Sequence, residues 1–170
     1  SEAQGMEDPF GQPELVPETR VRTVSGGETL DLGDRSLDVY DAPGHAPHHF
    51  VCFDEDDGTL YAADACGEHL DGHPIPSTPP PSFDLADNLE TLDRLRPLAP
   101  DRILYGHFGV GTDGSRLLET YRRELPEWVD RIEAGRREHG DDPAAIAADL
   151  PEKWDSPTLE RDIRGVLLSL

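Results

Sequence analysis

Short runs of alternating apolar and polar residues, separated by tight turns, dominate the first part of the chain and restrict its fold most. Five such runs lie between residues 20 and 65, namely RVRTV, TLDLG, SLDVYDA, HFVCFDE and TLYAADA. Glycine and aspartate separate them, and the DDG turn at residues 56–58 is a strong hairpin signal. The pattern therefore predicts a β-meander.

The chain changes to a helical period after this meander. Residues 67–83 are rich in proline and predict a long loop. Leucines then recur at helical spacing, and residues 101–111 predict a buried strand that runs into a glycine-rich turn. An apolar stripe from Leu117 to Ile132 predicts a core-facing helix that Pro126 should kink or divide. Two shorter helices are predicted after it.

Acidic residues greatly outnumber basic ones. The chain has 36 Asp and Glu against 15 Lys and Arg, a formal net charge of −21, and Lys153 is its single lysine. Such a surface repels nucleic acid and anionic membranes, so we expect neither as a partner. Abundant carboxylate with almost no lysine favours a halophilic, cytoplasmic protein, and an acidic mesophilic protein is the alternative.

Neither a membrane span nor a secretion signal is predicted. No apolar run approaches the length that crosses a bilayer, and the start SEAQGMEDPF lacks the charged and apolar regions of a signal peptide. Cys52 and Cys66 lie in or just after apolar strand-like runs and are interpreted as small buried thiols. We therefore expect a soluble, intracellular protein.

Three residues that can bind metal ions each close a strand-like run and open a loop. They are His45 in APGH, Asp64 in YAADA and His107 in LYGHFG. Each alone has an ordinary structural explanation: a turn residue, a cap or a tight bend. Together they predict one metal site, because imidazole and carboxylate suit zinc, iron or manganese and a carboxylate can bridge two ions.

The segments DLGDRSLDVYDAPGHAPHH, TLYAADACG and RILYGHFGVG resemble, in this order, the second half of the metallo-β-lactamase-fold hydrolases. The similarity is to the hydroxyacylglutathione hydrolase and lactonase-like branches. It implies an α/β fold, the C-terminal half of an αββα sandwich, over residues 20–112. Residues 1–19 would be an irregular lead-in, and residues 113–170 a helical C-terminal extension.

The resemblance also implies roles for the three residues. His45 would be the third histidine on one metal ion, Asp64 the carboxylate that bridges two ions, and His107 the last histidine on the second ion. Two divalent ions, with zinc expected and iron or manganese as alternatives, would form a bridging hydroxide at the position that Asp64 fixes. The implied activity is hydrolysis of a small ester, thioester or lactone-type substrate.

The motif H-x-H-x-D-H, which supplies the remaining ligands in such hydrolases, is absent, and no histidine precedes His45. We therefore expect a missing N-terminal half, a partner chain or a second copy of this chain to complete the site and to cover the sheet. The alternative is a non-catalytic interaction module that keeps the half-fold. A calcium site in DEDDG is disfavoured because the spaced oxygen ligands of an EF-hand are absent.

Four other histidines lie near the predicted site in the sequence. His69 and His73 fall in the proline-rich loop over the expected mouth of the site, where they would touch substrate or be merely exposed. His48 and His49 closely follow His45 and are expected to pack near it or support it and not to bind metal.

Overall fold

The computed structural model describes residues 15–107 and 109–170. Its strands are β1 Thr29–Asp31, β2 Ser36–Asp41, β3 Phe50–Asp54, β4 Thr59–Ala63, β5 Glu68–Leu70, β6 His73–Ile75, β7 Arg102–Tyr105 and β8 Val110–Thr112. Its α-helices are α1 Leu85–Leu95, α2 Gly114–His139, α3 Pro143–Ala148 and α4 Leu159–Ser169. Short 3₁₀ helices lie at Glu18–Arg20, Arg96–Leu98 and Glu152–Trp154.

Six strands form one mixed sheet in the order β1-β2-β3-β4-β7-β8, and β5 pairs with β6 in a separate hairpin. The first four strands form the predicted antiparallel meander. β7 returns parallel to β4, which requires a crossover, and α1 provides it. As a result β2, β4 and β7 run in the same direction and end at the same edge of the sheet.

The helices pack on one face of the sheet and build a single hydrophobic core with it. This core joins strand residues such as Phe53, Leu60 and Ile103 to the apolar stripe of α2 and to Ile163 and Val166 of α4. The predicted stripe is buried: Leu117, Leu118, Tyr121, Leu125, Trp128, Val129 and Ile132. The helices of residues 113–170 thus share their core with the sheet, and the division into half-domain and extension stays a prediction.

The opposite face of the sheet carries an apolar row that crosses four strands. Cys52 pairs with Tyr61, Tyr61 with Leu104, and Leu104 with Val110. The first three side chains are half-buried, whereas Val110 is 52% exposed and Phe50, on the same face, is 44% exposed. Among the described residues no helix packs against this row, so the molecule has two layers here, helices and sheet.

Three sequence predictions need correction, and one is extended by a further strand. RVRTV, residues 20–24, was expected to form a strand, but these residues form none and are mostly exposed, because sheet pairing begins only at β1. Within residues 67–83 the structure has the β5–β6 hairpin, whose turn residues Asp71 and Gly72 both have positive φ, as an Asp-Gly hairpin turn requires. The glycine-rich turn after β7 leads into a further strand, β8.

Pro126 does not divide its helix. α2 runs unbroken from Gly114 to His139, with buried residues on both sides of the proline. The proline removes one backbone hydrogen bond, and burial of Trp128 and Ile132 beyond it offsets that loss. The two shorter helices predicted around residues 143–149 and 157–168 are α3 and α4.

No helix in residues 15–107 and 109–170 combines the length and the apolar character that crossing a bilayer demands. Both cysteines are free thiols, and Cys66 is fully buried, which raises its pKa to about 12. Cys52 is half-buried.

Candidate metal centre

Three parallel-running strands deliver the three predicted ligands to one edge of the sheet. His45 follows β2, Asp64 follows β4 directly, and His107 lies two residues after β7. Because these strands end at the same edge, residues far apart in sequence meet there. The alternation of strand and turn therefore determines the site as much as the residue types do.

The carboxylate of Asp64 lies between the two imidazoles. Its Oδ2 is 3.7 Å from Nε2 of His45, and its Oδ1 is 3.6 Å from Nε2 of His107. The side chains of His45, Asp64 and His107 are 14%, 24% and 55% exposed, so the group opens to solvent on the His107 side. Each carboxylate oxygen thus faces a different histidine.

The tautomer of His45 follows from its second contact. Nδ1 of His45 lies 3.2 Å from the backbone oxygen of Ser77. A carbonyl oxygen can only accept a hydrogen bond, so Nδ1 must be the donor and carry the proton. When the ring is neutral, Nε2 therefore holds a lone pair directed towards Asp64, which is the form a metal ligand needs.

Local backbone geometry sets Asp64 in place. The β4–β7 register shifts between Tyr61 and Ala63, and Ala63 adopts the left-handed conformation with φ of 43°. The N–H of Gly106 donates to the backbone oxygen of Ala63 at 3.0 Å. A side-chain carbon at Gly106 would stand 2.7 Å from Oδ1 of Asp64, so any larger residue there would push the carboxylate out of this position.

The first turns of α1 hold the loops of His45 and Asp64 together. Nδ2 of Asn88 donates to the backbone oxygen of Ala65 at 3.3 Å, and Oγ1 of Thr91 donates to the backbone oxygen of Pro43 at 2.8 Å. The helix itself begins after Asp84, whose carboxylate accepts from the N–H of Asp87 at 2.9 Å. α1 is therefore a scaffold shared by two candidate ligand loops.

The donor set fits divalent metal ions. Asp64 places one carboxylate oxygen near each of two imidazole nitrogens, and its Oδ1 is buried without a hydrogen-bond partner among the described residues. A buried carboxylate oxygen left unpaired is costly unless a cation or donor satisfies it. The separation of the two oxygens, each towards its own histidine, suits a carboxylate that bridges two ions.

The profile of the metallo-beta-lactamase superfamily matches residues 2–107. The chain belongs to the metallo-beta-lactamase superfamily. This confirms the resemblance, and the α/β fold is the fold of this superfamily. Members of the superfamily typically bind divalent metal ions, in keeping with the chemistry of the donors described above.

Curated members of the superfamily match the chain at low identity. The metallo-beta-lactamase fold-containing protein ST1585 of Sulfurisphaera tokodaii is 32% identical over 115 residues, which are 68% of this chain and 42% of that protein. A hydroxyacylglutathione hydrolase of Hyphomonas neptunium is 26% identical over 170 residues, which cover 95% of this chain and 61% of that enzyme. The chain thus spans about half the length of these relatives.

Solved structures of the superfamily share the fold. A crystal structure of ST1585 superposes with a TM-score of 0.64 at 24% identity and covers 92% of this chain and 56% of the other. The metallo-beta-lactamase family protein TTHA1429 of Thermus thermophilus gives a TM-score of 0.58 at 25% identity, over 85% of this chain and 46% of the other.

The two loop histidines of this superfamily member occupy different surroundings. His69 stacks on Tyr105, with ring centroids 5.2 Å apart, next to the turn that carries His107, and burial lowers its pKa. Nε2 of His73 lies instead 2.9 Å from Oε2 of Glu124 on α2. His69 thus lies beside the turn of His107, whereas His73 is engaged with α2, and a role of either in substrate binding stays a prediction.

His49 lies beside His45, as expected for a supporting residue. The two rings meet edge to face with centroids 5.6 Å apart. Burial, together with the proximity of His45, lowers the pKa of His49. His48 is exposed and lines, with Phe50, an open depression of about 540 Å³ on the uncovered face of the sheet.

Several supporting residues were not found by sequence reasoning. Asn88 and Thr91 sit in an ordinary amphipathic helix, and Ser77 contributes only a backbone oxygen, so no motif marks any of them. The one signal that could have pointed to Asn88 is its polar side chain at a fully buried helical position.

Proposed function

We propose that this chain supplies His45, Asp64 and His107 to the dinuclear metal centre of a hydrolase acting on an ester, thioester or lactone-type substrate. The observation that carries the proposal is the placement of Asp64, with one carboxylate oxygen towards each imidazole. Membership of the metallo-beta-lactamase superfamily and similarity to hydroxyacylglutathione hydrolases support it.

Each residue has a distinct task in this proposal. His45 offers Nε2 because Ser77 fixes the proton on Nδ1. Asp64 would hold such ions through its two carboxylate oxygens, one towards each histidine, and His107 would offer Nε2 on the solvent side. Ions bound there would supply Lewis acidity, lowering the pKa of a coordinated water and polarising the scissile carbonyl.

Further ligands are needed to complete the centre. With Asp64 shared, the three residues give each ion two protein ligands, whereas a catalytic zinc ion normally has three and an open position. We propose that polypeptide outside the described residues, carrying histidines and a carboxylate, completes the centre. A missing N-terminal half is favoured over a separate partner chain or a second copy, because the chain spans about half the length of its relatives.

The same polypeptide would cover the open face of the sheet. Cys52, Tyr61 and Leu104 form an apolar row there that is only half-buried, and Phe50 and Val110 are exposed beside it. Contiguous apolar surface of this kind is typical of an interface. A covering layer would convert the two-layer structure into the αββα sandwich that the sequence predicted.

The metal ion and the substrate are proposed from chemistry. Zinc is favoured because imidazole and carboxylate are its common nitrogen and oxygen ligands, and iron or manganese are alternatives. A small-molecule substrate would enter at the exposed His107 side, past His69. With a net charge of −21, the chain should bind neither nucleic acid nor anionic membranes.

The test uses the full-length protein, its metal content and its hydrolytic activity. We expect about two zinc ions per molecule and cleavage of a thioester, an ester or a lactone. His45→Ala and Asp64→Ala should abolish activity and lower the metal content, whereas Asp130→Ala, an exposed change on α2, should change neither. Metal-free, inactive protein that still binds a second polypeptide would favour the alternative, an interaction module.

A further inference from the structure

A single buried peptide group connects His45 to the C-terminal helix α4. The carbonyl oxygen of Ser77 accepts the hydrogen bond from Nδ1 of His45 at 3.2 Å. The N–H of Thr78 belongs to the same peptide group and donates to Oδ1 of Asp162 at 2.9 Å. A chain of two hydrogen bonds thus runs from a carboxylate on α4, through one peptide group, to the imidazole of a candidate metal ligand.

Neighbouring contacts fix this peptide group in position. Oγ1 of Thr78 donates to the backbone oxygen of Asp162 at 2.9 Å, and Nε1 of Trp128 donates to Oγ1 of Thr78 at 3.2 Å. Thr78 is fully buried, and Asp162 and Trp128 are each 1% exposed. With water excluded and the hydroxyl bonded on both sides, the peptide has little freedom to rotate.

The helix comes unusually close at this point. A side-chain carbon at Gly165 would overlap the backbone oxygen of Thr78, so only glycine allows the approach. The charge of Asp162 is balanced by Arg161, whose NH2 lies 3.1 Å from each of its carboxylate oxygens. A buried carboxylate with an arginine and a peptide N–H as partners is a satisfied group, not a stranded charge.

Hydrogen bonds in such a chain strengthen one another. A carboxylate that accepts from a peptide N–H polarises the amide, and the carbonyl on its other side becomes a stronger acceptor. A stronger acceptor holds the Nδ1 proton of the imidazole more firmly, fixes the ring and raises the basicity of Nε2. Metal-binding histidines commonly have a carboxylate or a carbonyl in this position.

We infer that Asp162 is a positioning residue for His45 and acts on it through the Ser77–Thr78 peptide group. The inference rests on the proposed function, since it takes His45 to be a metal ligand. It gives α4 a role in orienting a ligand of the metal centre, although Asp162 is 84 residues away from Thr78 in sequence. The C-terminal helices would then position a metal ligand in addition to burying one face of the sheet.

The test compares variants of the full-length protein by their affinity for Co²⁺, measured by titration against a competing chelator. Asp162→Ala should weaken Co²⁺ binding by about 10-fold, the lower end of the effect of removing a direct partner of a ligand, because Asp162 acts through one intervening peptide group. Asp162→Asn keeps an oxygen that can accept from Thr78 and should restore most of the affinity. Val166→Ala, a buried change one turn further along α4, should lower stability without weakening Co²⁺ binding.

A second measurement, on metal-free protein, reports the tautomer of the His45 imidazole directly. Nitrogen-15 NMR of the histidine rings should show His45 as the Nδ1–H tautomer in the wild type and as a mixture of tautomers in Asp162→Ala. If Asp162→Ala does not fold, the same spectrum is recorded for Asp162→Asn. Its amide polarises the peptide less than the carboxylate does, so the Nδ1 proton resonance of His45 should shift upfield relative to the wild type.

The outcomes separate this inference from the proposed function. Wild-type protein that binds Co²⁺, with Asp162→Ala weakened no more than Val166→Ala, would overturn the positioning role and leave the proposed function intact. Wild-type protein that binds no Co²⁺ would overturn the proposed function. In that case a His45 tautomer that does not respond to Asp162→Ala or Asp162→Asn would overturn the positioning role as well.

Discussion

Gly44 lies so close to Asn88 that a side-chain carbon on Gly44 would overlap the backbone of Asn88. Gly44 precedes His45, and Asn88 donates from α1 to the backbone oxygen of Ala65, which follows Asp64. The contact therefore sets the distance between the two candidate ligand loops. Gly44 also has φ of +125°, a conformation that other residues rarely adopt.

Gly44→Ala should therefore damage both the fold and the metal site. Backbone strain alone should lower the free energy of unfolding by about 1–3 kcal/mol, and the overlap with Asn88 should add to it. Metal content should fall as His45 is displaced. Urea unfolding and metal analysis measure the two effects.

Gly27→Ala is the matched control for that change. Gly27 also has positive φ, 89°, but no atom lies within 4 Å of the position that its side-chain carbon would take. Gly27→Ala should lower the free energy of unfolding through backbone strain alone, without a steric overlap, and should leave the metal content unchanged. Equal loss of stability and metal in both variants would mean that the Gly44–Asn88 contact does not organise the site.

Two glycines inside helices should respond in opposite ways to alanine. Gly165→Ala forces α4 away from Thr78 and should destabilise the protein by about 1–3 kcal/mol, as overpacking does. At Gly135 on α2 the nearest atom to the added carbon is a methyl group of Ile146 at 3.0 Å, which a small shift can relieve. Gly135→Ala should be neutral or stabilising, because alanine gains up to about 1 kcal/mol in helix propensity.

Thermal unfolding of both variants measures this contrast. The result that would contradict it is a Gly165→Ala protein as stable as the wild type. That outcome would mean that α4 can move off the Thr78 segment at no cost, and the link from Asp162 to His45 would lose its structural basis.

Glu124 should make the protein sensitive to acid. Burial raises its pKa, but the hydrogen bond from His73 and the charge of Lys153 lower it more, so the net pKa lies below the ordinary value of 4.5. A carboxyl whose pKa is lower in the folded state contributes stability above its unfolded pKa, and that stability is lost as pH falls through the folded pKa. Stability should therefore decline below about pH 4.5.

Glu124→Gln should remove part of this decline. The measurement is the free energy of unfolding of wild type and variant from neutral pH to pH 3, with Glu138→Gln, an exposed change on α2, as control. The difference between Glu124→Gln and the wild type should be largest near neutral pH and should shrink in acid. A difference that is constant with pH would mean that the His73–Glu124 pair does not couple protonation to folding.

Salt should stabilise the protein. The net charge of −21 makes the folded chain repel itself, and the Debye length falls from about 10 Å at 0.1 M to about 3 Å at 1 M salt. The melting temperature should therefore rise between 0.1 M and 1 M KCl, as the halophilic interpretation expects. An uncharged osmolyte controls for general solute effects, and an unchanged melting temperature in KCl would contradict the interpretation.

The sequence predicted the parts of the fold and the site that depend on local residue patterns and on the direction of the strands. The approach of His45, Asp64 and His107 could be predicted because each residue follows a strand. Burial of the apolar stripe of α2 could be predicted because its apolar residues recur with a helical period. The β5–β6 hairpin was missed although Asp71-Gly72 is a strong turn signal, because the surrounding prolines favoured a loop. RVRTV was predicted as a strand because alternation alone does not reveal whether a pairing partner exists.

Long-range contacts could not be predicted from the sequence. The hydrogen bond from Thr78 to Asp162 joins residues 84 positions apart, and Ser77 reaches His45 through a backbone atom that every residue possesses. Such contacts depend on how the helices pack on the sheet, which no local pattern encodes.

The most direct test of the proposed centre is a crystal structure of the full-length protein with anomalous diffraction recorded at the zinc edge. We expect two anomalous peaks at the edge of the sheet, one at Nε2 of His45 and one at Nε2 of His107, with an oxygen of Asp64 bound to each. No peak at this edge, or a single peak that Asp64 does not contact, would contradict the central claim that Asp64 bridges a dinuclear centre.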